Sequence, residues 1–329
     1  MAPLYLIVIL KHYCNYSTTT PLPSPSLHPP TTRTTGMTFS LPRFLTVALV
    51  TGSTLIGPFI PFFRIGKEQL PQMMSRLFPF GRGLVHEYWA GNVWALYVFA
   101  DKCIGFLGRK ILPPTNSILS TGLPDIPPSI AALCLLIGIM PAILCVTKYN
   151  SSSSSSNTVV TNDTTTKLQS TDVGIMFLHG VVFCSLSSFM LAYHVHEKAI
   201  MTAIIPMTLL VTSSPVHAKL FWRLCALGHF GLLPLLFRPV ELPFKIVLYI
   251  LNMAFMTYAL DISLTGVDKW GIGILSIVSF FMEVVHPLLF QPWGILEFLP
   301  LMMTSLVCAI GLIGCWIHEG LLMVQQLKL

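Results

Sequence analysis

The sequence predicts an all-α, polytopic membrane bundle. Three observations carry that reading. The 329-residue chain is 53% hydrophobic and only 10% charged, against roughly 25% charged in a soluble domain. Its mean hydropathy is +0.74. Its apolar residues fall into long uninterrupted runs rather than short amphipathic segments. A spanning helix needs roughly 17–25 mostly apolar residues, because the hydrocarbon core is about 30 Å thick and each residue rises 1.5 Å. In lipid the backbone must satisfy its own hydrogen bonds, which makes helices the default.

Residues 1–40 stand apart. The apolar run Pro3–Leu10 is too short to span and has no basic segment ahead of it, so a signal peptide is poorly supported. The Ser/Thr/Pro-rich stretch that follows reads as disordered, with Met37 as an alternative start. The multi-spanning domain is expected over 41–329, with eight runs at 44–63, 128–147, 173–193, 198–213, 219–237, 244–260, 270–290 and 298–318. The stretch 84–107 is apolar but carries Glu87, Asn92, Asp101 and Lys102. That is costly for a lipid-facing span, so it is expected to be re-entrant or interfacial. Residues 149–170, with the run Ser151–Ser156, read as a flexible loop. It carries sequons at Asn150 and Asn162.

Net charge is +6, and ten of the nineteen basic residues would share one side of the membrane. Cytoplasmic loops obeying the positive-inside rule and an anionic substrate are the competing explanations. The eight cysteines show no C-x-x-C spacing, and six lie inside apolar runs as small hydrophobes. No nucleotide-binding loop and no nucleic-acid signature occur.

Three polar clusters could carry chemistry. The first, Arg76-Leu-Phe-Pro-Phe80-Gly-Arg82-Gly83-Leu84, continues through His86, Tyr88-Trp89 and Trp94 to Tyr97. Arginine suits phosphate and Trp and Tyr suit the interfacial belt, although a plain anchor helix fits as well. The second is His194-Val195-His196-Glu197-Lys198. Its histidines and lysine could contact a phosphate, with Glu197 orienting them or acting as a base; a wet interhelical turn is the plainer alternative. A metal site is disfavoured, since His at i and i+2 do not share a helix face and no H-E-x-x-H spacing is present. The third, His229, Pro234, Arg238, Glu241, Pro243 and Lys245, reads as a structural turn. Glu283 and His286 share a face and are expected to pair with each other, and His179 reads as a satisfied packing residue.

These residues also carry a specific resemblance. Gln69-Leu-Pro-Gln72, Arg76-Leu-Phe-Pro-Phe80-x-Arg82-Gly-Leu84, His86-x-Tyr-Trp-Ala90-x-Asn92-x-Trp94-Ala-Leu-Tyr97, Ser187-Ser-Phe-Met190 and His194-Val-His-Glu-Lys-Ala-Ile200 are similar to the endoplasmic-reticulum glucosyltransferases that extend dolichol-linked oligosaccharide. Gly228-His229, Pro234-Leu-Leu-Phe237 and Glu241-Leu-Pro243 match too. The resemblance covers about 41–320 and leans toward the member that adds the second glucose, an alpha-1,3-glucosyltransferase.

It implies a GT-C-type bundle in the endoplasmic reticulum membrane, with dolichyl phosphate glucose as donor and a dolichyl-pyrophosphate-linked oligosaccharide bearing one glucose as acceptor. Inversion in one step needs a carboxylate to take the acceptor proton and positive charge on the departing phosphate. No cofactor or metal is implied. Arg82 and His86 would contact one lipid-linked substrate, and His194, His196 and Lys198 would hold the donor phosphate. The family's catalytic carboxylate lies in an Asp-Tyr-Pro-Pro-like motif that this sequence lacks, so the chain resembles a C-terminal part and Glu197 is the remaining candidate base. A catalytically incomplete membrane scaffold and, after it, a transporter built on Arg223, Glu283 and His286 are the alternatives.

Overall fold

The computed structural model describes residues 2–21, 32–66, 68–77, 83–85, 90–111, 122–149, 162–236, 238–294 and 296–327. The chain divides into two compact units, Met1–Pro79 and Phe80–Leu329.

The first unit opens with α1 (Ala2–Val8), continued by a wider helical turn to Cys14. A two-stranded antiparallel hairpin follows, β1 (Asn15–Pro21) and β2 (Thr32–Phe39), with Asn15 opposite Phe39. Much of the segment expected to be disordered is thus described as regular structure. Its β-branched threonines suit an extended backbone. Helix α2 (Leu41–Ile56) runs through a tight turn into α3 (Ile60–Ile65), and Leu41–Phe62 is long and apolar enough to cross a membrane. The short α4 (Gln69–Leu77) ends the unit.

The second unit holds α5 (Val93–Ile111), α6 (Pro128–Lys148), α7 (Asn162–Leu191), α8 (Met201–Met207), α9 (Pro215–Phe230), α10 (Leu242–Ala259), α11 (Gly266–Phe280), α12 (His286–Leu289) and α13 (Leu299–Gln326). Residues 162–170, read from sequence as loop, are the first turns of α7. The all-α bundle expected from the sequence is what forms. Among the described residues six segments are long and apolar enough to span: Leu41–Phe62, Pro128–Lys148, Val173–Leu191, Pro239–Ala259, Gly266–Leu289 and Leu299–Gln326. The other two expected runs are shorter helices. Pro206 and the turn at 208–213 cut α8 to 7 residues, and the turn after Phe230 holds α9 to 16.

The core forms around α7, whose Val182, Leu186, Phe189 and Met190 pack with Ile200, Ile204, Leu224 and Leu312. Several polar groups within the bundle are satisfied across helices, as a water-free interior favours. The Trp316 indole donates to Ser187 Oγ at 2.9 Å, and that hydroxyl donates to the Gly138 carbonyl at 3.1 Å. The Trp222 indole donates to Thr257 Oγ1 at 2.8 Å, and the Tyr249 hydroxyl to the Ala226 carbonyl at 2.8 Å.

Candidate phosphate-binding end of the bundle

Helix α7 ends at Leu191 and the chain turns sharply. His194 adopts φ +54°, a left-handed conformation uncommon outside glycine. Two contacts fix it there. Its backbone N–H donates to the Leu84 carbonyl at 3.1 Å, and its Nδ1 lies 3.0 Å from the Gly83 carbonyl. Gly83 itself has φ +87°, a backbone that favours glycine. The first and second polar clusters therefore meet in space, 111 residues apart in sequence. Arg82 and His86 lie outside the described residues, on either side of the Gly83–Val85 segment that makes the contact.

The polar stretch 84–107 enters and leaves the bundle at one end. From Leu84 beside His194, the chain reaches Asn92, whose Nδ2 donates to the Phe189 carbonyl at 3.3 Å. Trp94 donates its indole N–H to the Ala192 carbonyl at 3.0 Å. At this turn Gly91 packs so closely on α13 that a Cβ there would stand 2.7 Å from Cys308 Cβ. Helix α5 then runs back out. The Tyr97 hydroxyl donates to the Pro124 carbonyl at 2.5 Å, and Asp101 Oδ1 accepts the Leu123 N–H at 2.6 Å. Gly122, at φ +86°, has a backbone that favours glycine, and a Cβ there would crowd the Asp101 carboxylate. Leu123 and Pro124 lead into the start of α6, whose Gly138 packs on Ser187 and Leu191 near the end of α7. The re-entrant reading of this stretch accounts for its internal charges: they return to the end they came from.

Within the second cluster the side chains alternate. Glu197 is buried, 7% exposed, whereas His196 and Lys198 are exposed. The His194 and His196 rings meet edge to face, 5.7 Å between centroids. Glu197 turns toward a small enclosed cavity between Gly91, Gly231, Pro234, Thr304 and Ser305. Its Oε1 is buried there without a hydrogen-bond partner among the described residues. Burial pushes the Glu197 carboxyl up from its ordinary value, against the opposing pull of a backbone hydrogen bond, His196 and Lys198. The cluster thus presents positive and imidazole groups outward and keeps its carboxylate inside.

The third cluster is a turn, as expected. The Lys245 ammonium donates to the Leu236 carbonyl at 3.0 Å, and Glu241 caps the Arg238 N–H at 3.3 Å. The expected pairing of Glu283 with His286 does not form. Glu283 pairs with Lys245 at 2.5 Å, and His286 Nε2 lies 3.0 Å from the Leu296 carbonyl. Lys245 is one turn into α10 and reaches the wider helical turn Phe281–Val285 that follows α11.

Sequence reasoning missed one network, at the middle of α7. His179 Nδ1 lies 2.7 Å from Glu319 Oε1, and its Nε2 lies 3.2 Å from His217 Nε2. His217 Nδ1 in turn lies 2.6 Å from Ser214 Oγ. Burial, then His179 and His318, hold the His217 imidazole down to about 4. The only hint in sequence was four ionisable groups in or beside apolar runs on three different helices. Among the described residues no group of three or more His, Cys, Asp or Glu side chains is arranged to hold a metal ion.

Residues 1–319 match the ALG6, ALG8 glycosyltransferase family. The chain belongs to it. The match takes in the N-terminal forty residues that the motifs alone left out. Curated relatives point the same way. The chain is 34% identical over 310 residues to the dolichyl pyrophosphate Glc1Man9GlcNAc2 alpha-1,3-glucosyltransferase of Bos taurus, covering 85% of this chain and 52% of the relative. It is 33% identical over 347 residues to the protein of that name from Mus musculus, covering 96% and 58%. The protein of that name from Neurospora crassa is 33% identical over 344 residues, covering 96% and 60%. The chain therefore spans between half and three-fifths of the length of these relatives. In this chain Leu84 meets His194, and Trp94 meets Ala192 just ahead of it, at one end of the bundle.

Proposed function

We propose that this chain forms the phosphate-binding membrane portion of an endoplasmic-reticulum alpha-1,3-glucosyltransferase. The enzyme moves glucose from dolichyl phosphate glucose onto the glucosylated dolichyl-pyrophosphate oligosaccharide used for N-glycosylation, with inversion. The observation that supports it best is the contact between Gly83-Leu84 and His194. It joins the arginine-bearing motif to the histidine cluster at one end of the bundle.

The chemistry follows from charge. When the glycosidic bond to the donor phosphate breaks, negative charge grows on the departing dolichyl phosphate. His196 and Lys198, exposed at the turn, accept that phosphate through charge-assisted hydrogen bonds, which are strong where water is scarce. Arg82, covalently joined to Gly83, supplies a bidentate partner. His194, pinned by Gly83 and Leu84, sets the position of the turn. Glu197 braces it from inside; its enclosed Oε1 suits a positioning group better than a base that must touch a sugar hydroxyl. This end of the bundle faces the lumen, and the basic residues gathered there are explained by phosphate and pyrophosphate ligands.

The test is a lipid-linked oligosaccharide profile in yeast lacking the enzyme that adds the second glucose. Consumption of the one-glucose intermediate on expression of this chain supports the transferase reading. Persistence of the intermediate with the protein stably in the membrane supports the second reading, an incomplete catalyst whose proton-accepting carboxylate is supplied elsewhere. The enclosed position of Glu197 is the observation favouring that second reading.

A further inference from the structure

Away from His194, the outer ends of α9, α11 and α13 enclose a cleft of about 510 Å³, within the size range of small-molecule sites. Its lining is graded. The three helices contribute their polar residues, Arg223, Asp268 and His318, at the outer end only, and below them the walls are apolar, down to Leu227, Leu275 and Ile310. The floor is partly glycine. A Cβ added at Gly271 or Gly314 would meet nothing within 4 Å. At these two points of the lining no side chain fills the space.

The outer end carries the residues of a membrane interface. Trp270 and Tyr258, on neighbouring helices, are 77% and 88% exposed there, the position favoured by aromatic belts. Lys269, beside Trp270, is exposed as well. From Ile310 to Leu321 the cleft follows twelve residues of α13, about 17 Å of helix from first to last. That matches one leaflet, half of a hydrocarbon core about 30 Å thick.

The charge at the mouth is organised. Arg223 Nε donates to Asp268 Oδ1 at 2.8 Å, and Lys219 Nζ lies 3.2 Å from Asp268 Oδ2. Asp268 also accepts from the Thr265 N–H at 2.9 Å and the Thr265 hydroxyl at 2.6 Å. One carboxylate therefore holds two cations in place and leaves the mouth positive by one unit. The Arg223 and Lys219 side chains remain 30% and 22% exposed. Nε is one of five guanidinium N–H donors, so the group keeps capacity for an anion.

We propose that this cleft is a binding site for an anionic glycerophospholipid of the surrounding bilayer, with one acyl chain along Gly271 and Gly314 and the phosphate headgroup at Arg223 and Lys219. The one-leaflet length selects an acyl chain over a long polyisoprenoid, and the net positive mouth selects an anionic headgroup over a zwitterionic one. The site lies at the opposite end of the bundle from the proposed phosphate-binding turn and does not depend on that reading.

Native mass spectrometry of the full chain tests it, after exposure to phosphatidylserine, to phosphatidylcholine with the same acyl chains, or to a polyisoprenyl phosphate. Retention of phosphatidylserine is expected to exceed that of phosphatidylcholine by about tenfold. Gly271→Leu or Gly314→Leu, each filling open space, is expected to abolish the preference while leaving thermal unfolding unchanged. Gly174→Leu, on α7, is expected to keep it. Equal retention of the two phospholipids overturns the proposal. So does a preference that survives both cleft-filling leucines, or a cleft-dependent preference for the polyisoprenyl phosphate.

Discussion

The Nδ1 nitrogen of His194 stands 3.0 Å from the carbonyl oxygen of Gly83, and the His194 N–H donates to the neighbouring Leu84 carbonyl. This pair of contacts closes a re-entrant segment onto the end of the central helix; just beyond it the His196 and Lys198 side chains are exposed and Glu197 is buried.

Exposure decides the first prediction. His196→Ala and Lys198→Ala remove little packing, so each should shift stability by no more than about 0.5 kcal/mol. In an assembled transferase either change should nonetheless reduce turnover by at least about tenfold, because a charged phosphate contact is lost where charge develops. Glucosylation assays paired with thermal unfolding separate the two effects.

Gly91 sits where the re-entrant chain turns against α13. Gly91→Ala would bring a methyl to 2.7 Å from Cys308 Cβ. Overpacking of this kind costs about 1–3 kcal/mol. Denaturation in detergent should show that loss, and Cys308→Gly on the same background should recover part of it.

Lys245 and Glu283 form a mostly buried ion pair. Lys245→Met leaves Glu283 without its counter-charge and should cost about 3–5 kcal/mol, whereas replacing both by apolar residues should be close to neutral. A double-mutant cycle on unfolding free energy reads the difference.

His217 gives a pH dependence with a definite sign. Its folded-state value is held down to about 4, against 6.5 for the free group. Between these values the unfolded chain binds a proton that the folded chain refuses, so stability falls as pH drops from about 6.5 toward 4 and is level outside that window. The loss from this one group is about 3 kcal/mol. Unfolding curves at pH 7 and pH 4.5 should differ less in His217→Gln than in the parent chain.

Much of this was legible in the sequence, for reasons that differ by region. Long apolar runs have one stable solution in lipid, so the helical bundle followed from composition and length. The length of α8 did not, because Pro206 sits in a helix that continues one residue past it and the stop is set by the turn at 208–213. The meeting of Gly83 with His194 was inferable only through the cost of placing Asp101 and Lys102 in lipid. The choice of Lys245 rather than His286 as partner for Glu283 depends on how α10 approaches the turn Phe281–Val285 after α11, which no local pattern encodes. The network of His179, His217 and Glu319 is likewise built from three helices, each contributing one polar residue that alone reads as a packing defect.

The central claim is that the turn at His194–Lys198 binds a lipid-linked phosphate. Its most direct test is equilibrium binding of a short-chain polyisoprenyl phosphate to the purified full chain, compared with a His196→Ala, Lys198→Ala double variant of unchanged thermal stability. The account predicts binding by the parent chain that is weakened at least about tenfold in the variant. Equal affinity in the two proteins would contradict it.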